Sequence, residues 1–235
     1  MQARSWIPLA LLALVGCGKT QAPESSGASS STGTVETPVK KIELPASLMH
    51  EGLEYYGLSE PGKHTMTETR KTGDQTQTLV GDMTTRLVDA TADKATYEME
   101  FDGDLSALGT TTIMVDKGGV HIVTSSTVKT DKPTLDLPAV CSVGATWASD
   151  MSGEMATQKV KGNSNYKIVR TEKVKVPAGE FDAIVVENVG TLSLGGSKFP
   201  LKATAWYVKG KGMVRQVTEA TQAGQKMVST LELTK

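Results

Sequence analysis

The side chains able to do chemistry are few and poorly grouped for it. Carboxylates come closest together at Glu98 and Glu100, at Asp102 and Asp104, and at Asp150 and Glu154. Two facing carboxyls are the equipment of a glycoside hydrolase, one as acid and the other as base or nucleophile. Alternate residues of a strand share a face. Glu98 and Glu100 therefore stand side by side, opposite Met99 and Phe101, and read as the wet face of a strand. Asp102-Gly103-Asp104 echoes part of a calcium loop but lacks the remaining ligands and the closing Glu. His50, His64 and His121 have neither His-x-His nor His-x-x-x-His spacing, so no metal site is expected of them. Cys141, near Val140 and Val143, has the setting of a small buried hydrophobe. A nucleophile would need a base beside it, and no signature supplies one. No Gly-x-Ser-x-Gly elbow is present. Gly18-Lys19-Thr20 matches the tail of a phosphate-binding loop, yet Ala13 stands where that loop needs its first glycine. These residues predict a protein that is not an enzyme and uses no cofactor, with a carboxylate-based hydrolase as the far alternative.

The second cysteine, Cys17, closes a short apolar run. Arg4 supplies a positive start, and Trp6 to Val15 is apolar for the length of a signal-peptide core. A membrane span needs about twenty such residues, and Pro8 interrupts this one. Leu14-Val15-Gly16-Cys17 resembles the lipobox of bacterial lipoprotein signals. The resemblance implies a signal peptide over residues 1–16, cleavage before Cys17, a diacylglycerol on its sulfur and an acyl group such as palmitate on its new amine. Two or more chains anchor stably where one is marginal. Gly18, not Asp, follows the cysteine, which by analogy with enteric bacteria favours the outer membrane over the inner. Within residues 17–40, the text from Gly18 to Pro38, "GKTQAPESSGASSSTGTVETP", has almost no large apolar residue. Such a stretch cannot bury enough surface to order itself and reads as a tether.

The elements that must carry any site lie in residues 41–235. Scarce aromatics with plentiful Thr, Val and Gly suit strands and tight turns. Lys and Arg number 25 against 26 Asp and Glu, a balance that argues against a nucleic-acid partner. Period-two alternation recurs in Tyr97-Glu98-Met99-Glu100-Phe101, in Lys173-Val174-Lys175-Val176, through Phe199, Leu201, Ala203, Ala205 and Tyr207, and in Met227 to Leu233. One face dry and one wet is the antiparallel habit. Turn residues separate these runs. Pro177-Ala178-Gly179 predicts a bulged three-residue hairpin pairing the Lys173 and Phe181 segments. Gly210 and Gly212 predict a turn with at least one positive φ, the rival reading being a ligand clamp. Only Ser47 to Tyr56 hints at a helical turn, and Ser125 to Gly144, with Pro133 and Pro138, reads as a longer connection. Trp206 and Tyr207 must point to opposite faces. Tyr207 shares the face of Phe199 and Leu201, and Trp206 would contact a ligand or a plugging helix if its own face is concave.

"VPAGEFDAIVVE" (Val176 to Glu187) followed by "AWYVKGKGMVRQ" (Ala205 to Gln216) resembles the TapB-like domain of bacterial secreted proteins and lipoproteins. "LPAVCSVGATW" (Leu137 to Trp147) is similar to its Leu-Pro…Gly-x-x-Trp element and "YYGLSEPGKH" (Tyr55 to His64) to its opening, and Arg215 stands where that domain usually has Lys. The resemblance implies an all-β curved antiparallel meander, a half-open barrel like those of lipoprotein carriers, with at most one or two short helices and no catalytic residues to transfer. The function expected is that of a membrane-anchored envelope lipoprotein that binds or assembles with an envelope protein. The alternative is a carrier of an apolar ligand in the concavity. Replacement Cys17→Ser is expected to abolish incorporation of radiolabelled palmitate and to release or misplace the protein. Label retained in that variant would remove the anchor.

Overall fold

Alternating side chains of opposite polarity make long strands here, because a curved sheet can bury one face of each strand against itself. The computed structural model describes residues 43–155, 157–222 and 225–235. The segments read as signal peptide (1–16), Cys17 and tether (to residue 40) lie outside the described residues. The chain enters through a 3₁₀ turn at Ala46–Leu48 and the short helix α1 (Glu51–Tyr55). A first meander follows: β1 (Lys63–Thr72), β2 (Gln75–Ala90), β3 (Lys94–Phe101), β4 (Thr110–Asp116) and β5 (Gly119–Ser125). Two short strands come next, β6 (Lys129–Thr130) and β7 (Thr134–Pro138). The second meander is β8 (Thr146–Met155), β9 (Gln158–Val176), β10 (Gly179–Leu194), β11 (Ser197–Val208), β12 (Gly212–Gln222) and β13 (Gln225–Leu233). Every pairing is antiparallel, in one sheet ordered β6-β8-β9-β10-β11-β12-β13-β1-β2-β3-β4-β5-β7.

That order forces curvature. β6 and β7 occupy opposite edges of the sheet yet are neighbours in the chain. Asp131, Lys132 and Pro133 join them, and such a link reaches at most roughly 14 Å when extended. The edges must therefore curl towards each other. They meet at a seam where the Ser149 hydroxyl of β8 donates to the Leu135 carbonyl of β7 at 2.9 Å and the Thr130 hydroxyl of β6 donates to the Val123 carbonyl of β5. No ladder joins β7 to β8 among the described residues. The antiparallel sheet expected from the alternation is observed, and it is curved and not closed, as the family resemblance implied.

Two expectations need correction. The segment Ser125 to Gly144 is not only a connection, since it carries both edge strands. Its prolines concealed this, but Pro138 ends an edge strand, where a missing N–H costs little. The hairpin at Pro177 has a two-residue loop, because Gly179 already pairs with Val176. Gly179 has φ +140 and opens β10 rather than standing in the loop.

The 3₁₀ turn and α1 plug one end of the half-barrel. Leu48, Leu53 and Leu58 are at most 1% exposed, each contributing about 1.5–3 kcal/mol on full burial. A helix this short cannot hold itself, so contacts from outside fix it. His50 caps it: Nδ1 accepts from the Leu53 N–H at 3.0 Å, while Nε2 donates to the Asp116 carbonyl at 3.0 Å. Burial lowers the His50 pKa and keeps that neutral tautomer. The turn between β11 and β12 latches the helix exit, with the Gly210 N–H donating to the Glu54 carbonyl at 2.9 Å and Lys209 Nζ 3.4 Å from Glu54. Gly210 and Gly212 have φ of +73 and +84. A Cβ on Gly210 would meet open space, whereas one on Gly212 would lie 2.9 Å from the Tyr56 carbonyl oxygen. The turn reading thus stands for both glycines, and what it holds is the plug.

In urea unfolding, Gly210→Val is expected to cost about 1–3 kcal/mol, the scale of forced backbone strain. Gly210→Asn should cost much less, because Asn tolerates the left-handed region. At Gly212 both substitutions should be costly, since any Cβ collides. Equal midpoints for Val and Asn at Gly210 would sink the assignment.

Candidate functional site

Apolar side chains fill the two ends of the half-barrel. The larger cluster packs the plug against Tyr97, Ile113, Val120 and Ile168. The smaller one, at the far end, holds Val128, Met155, Val160, Leu192, Leu194 and Leu201. Between them lies a cavity of about 160 Å³. Its walls mix Met83, Met99 and Met151 with Asp136, Asn188 and the hydroxyl-bearing Thr111, Tyr56, Tyr166 and Tyr207.

Asp136 reaches the cavity through a β-bulge. Val120 pairs with Leu137 and His121 with Leu135, so Asp136 is the extra residue of β7. Bulges re-aim side chains in this way. Its carboxyl keeps some surface towards the cavity while protein atoms enclose it all round, and burial pushes its pKa up. The Tyr56 hydroxyl, carried from the end of α1, donates to its Oδ2 at 2.9 Å. Burial likewise raises the Tyr56, Tyr166 and Tyr207 phenols, with Asp136 adding to each. The Tyr56 and Tyr207 rings lie 6.0 Å apart, and Tyr166 stacks on Trp147 at 5.1 Å with planes 6° apart. Asn188 stands directly across the ladder from Tyr166. Asn188 is 5% exposed and Thr111 fully buried, yet Asn188 Oδ1 and Thr111 Oγ1 have no hydrogen-bond partner among the described residues. Leaving such groups unpaired costs about 1–3 kcal/mol each.

The other candidate residues fall elsewhere. Tyr207 lines the concavity as its neighbours on β11 imply, but Trp206 sits on the outer face. There its Nε1–H donates to Glu172 Oε1 at 2.6 Å and the Arg215 guanidinium lies 5.2 Å over its ring. The alternation that sends Tyr207 inwards sends Trp206 out, so the concave ligand contact foreseen for Trp206 is corrected to Tyr207. Arg86 pairs with Glu98, and Asp102 and Asp104 accept from the Asp82 and Val80 N–H groups of β2. None of the three carboxylate pairs reaches the cavity wall. His50 and His121 converge on Asp116, His121 Nε2 lying 3.1 Å from its Oδ1. No group of three or more metal-ligating side chains occurs among the described residues. Cys141 is buried, and burial pushes its thiol up to about 12. It stays protonated at neutral pH, the Sγ donating to the Pro138 carbonyl at 3.3 Å.

Sequence reasoning missed Tyr56, Asp136, Tyr166 and Asn188 as a group. The one signal for Asp136 was an acid set between Leu135 and Leu137, and only the bulge turns it into a wall residue.

A family model described as DUF3108-like matches residues 62–233. No curated protein matches the chain. Among solved structures it is similar to a candidate lipoprotein from Parabacteroides distasonis, at 12% identity and a TM-score of 0.49, covering 73% of this chain and 94% of that one. It is similar to a candidate exported protein with a YmcC-like fold from Bacteroides fragilis, at 12% identity and a TM-score of 0.42, covering 75% and 95%. The hypothetical lipoprotein YmcC from Escherichia coli follows at 10% identity and a TM-score of 0.32, covering 72% and 83%. Likeness at this distance carries no functional argument. No helix among the described residues is long and apolar enough to cross a membrane.

Tyr56→Phe removes the only side-chain donor to Asp136 among the described residues and is expected to cost about 1–3 kcal/mol at pH 7. The Tyr56 hydroxyl favours the ionised carboxyl and so opposes the rise that burial causes in Asp136. A partner that lowers a carboxyl's pKa contributes stability where the carboxyl is ionised, and that contribution is lost as pH falls through the folded pKa. The variant's deficit should therefore shrink as pH falls from 8 towards 4. A deficit constant from pH 8 to pH 4, read by urea midpoints, would show that the ionised carboxylate is not what Tyr56 supports.

Proposed function

Because the chain belongs to the DUF3108-like family, whose model spans most of its β domain, we propose for it the role of a non-enzymatic envelope lipoprotein. Lipid on Cys17 anchors it, and its half-barrel holds a small apolar ligand. The observation that carries the ligand is the cavity of about 160 Å³ whose buried wall leaves Asn188 Oδ1 and Thr111 Oγ1 without partners among the described residues. Fully packed interiors leave few voids larger than a water molecule, and native proteins rarely strand buried polar atoms. The anchor is supported by Leu14-Val15-Gly16-Cys17 and the low-complexity tether behind it, which would lift the domain off an outer-membrane surface. The TapB-like resemblance of the hairpins from Val176 to Gln216 agrees with an envelope address.

The absence of catalysis is part of the proposal. Among the described residues Asp136 is the single carboxyl on the cavity wall, and two-carboxylate hydrolysis needs a second within about 5–10 Å. Toluene, a neutral body of suitable size, tests the container. It is expected to raise the unfolding midpoint of the full chain, and Ala203→Phe, which fills the cavity from β11, should remove the response. No shift in the parent protein would overturn the reading.

A further inference from the structure

The wall chemistry selects among ligands, and this step rests on the ligand-holding reading above. Among the described residues the cavity wall carries one carboxyl, Asp136, and no Lys, Arg or His side chain. Three tyrosines, Tyr56, Tyr166 and Tyr207, present rings or hydroxyls around it. Aromatic faces with a carboxylate stabilise a cation and repel an anion. Asn188, one ladder step from Tyr166, offers an acceptor oxygen that no described residue fills. An acceptor and a carboxylate both ask for N–H donors. Away from this pole the wall turns apolar. Leu192 lies four residues beyond Asn188 on β10 and faces Phe199 across the ladder, roughly 13 Å along the strand. Met151 and Leu201 continue the same face.

We propose that the cavity is a binding site for an apolar chain bearing a primary ammonium head. The head sits at Asp136 and Asn188 among the three tyrosine side chains, and the chain runs towards Met151, Leu192 and Leu201. A cavity of this volume takes a single short chain, not a lipid with several. The ammonium offsets the cost of a buried carboxylate, which an alcohol does only partly and a carboxylate ligand makes worse.

Titration calorimetry of the full chain with octylamine, octanol and octanoate, each below its micellar concentration, tests this. Octylamine should bind at least tenfold tighter than octanoate, with octanol between. Asp136→Asn should weaken octylamine about tenfold and leave octanol nearly unchanged. If Asp136→Asn does not fold, Asn188→Leu takes its place, with the same selective loss for the amine. Equal affinity for all three ligands, or an amine affinity unmoved by the folded variant, overturns the ammonium site and leaves the container standing. Failure of all three to bind overturns the container as well.

Discussion

The pairing of β13 with β1 is the constraint on which the rest depends. The strands from β8 to β13 form one meander and those from β1 to β5 another, each built from local hairpins. Only the register from Met66–Leu233 to Thr72–Met227 joins them into one sheet. A buried polar cluster marks this junction. Glu68, 2% exposed, accepts two hydrogen bonds from Arg70 at 2.8 and 2.9 Å and one from the Ser229 hydroxyl at 2.7 Å across the junction. A buried charge is tolerable only when paired and hydrogen-bonded. A slip of one residue would turn Ser229 to the outer face and strand the carboxylate. The junction therefore tolerates one register, and that register sets which side chains form the concave wall.

Once the two meanders are joined, the interior cannot be filled by strands alone. A sheet with this many strands encloses more space than its own side chains occupy, as larger barrels do. The plug takes up one end and the Leu192 cluster the other. The middle is lined by methionines, which fit irregular gaps, and by polar groups only partly satisfied. The plug and the cavity are coupled through Tyr56, which ends the helix and also donates to Asp136.

The seam between β7 and β8 gives the molecule its asymmetry. Every other neighbouring pair shares a ladder, whereas here the hydrogen bond among the described residues runs from the Ser149 hydroxyl to the Leu135 carbonyl. Asp136 sits in the edge strand beside this seam, displaced inwards by its bulge. Edge strands and bulges are where proteins place side chains that a regular ladder would misdirect. The same strand carries the wall's only carboxyl and the half-barrel's open edge.

The sequence by itself determined the long alternating strands and most of the turns between them, and it marked Ser47 to Tyr56 as a helical turn. Those features are written locally: alternation has a period of two, a turn needs glycine at a given place, and a helical turn groups its apolar residues three or four apart. It also settled that Tyr207 and Trp206 face opposite ways, because strand geometry allows nothing else. Only the tertiary structure decided which of the two faces is concave, that β6 and β7 are strands, and that Asp136 meets Tyr56, Tyr166 and Asn188. These depend on pairings between residues far apart in the chain and on a one-residue bulge. An extra residue leaves no mark in a local pattern, yet it reverses the direction of every side chain it displaces.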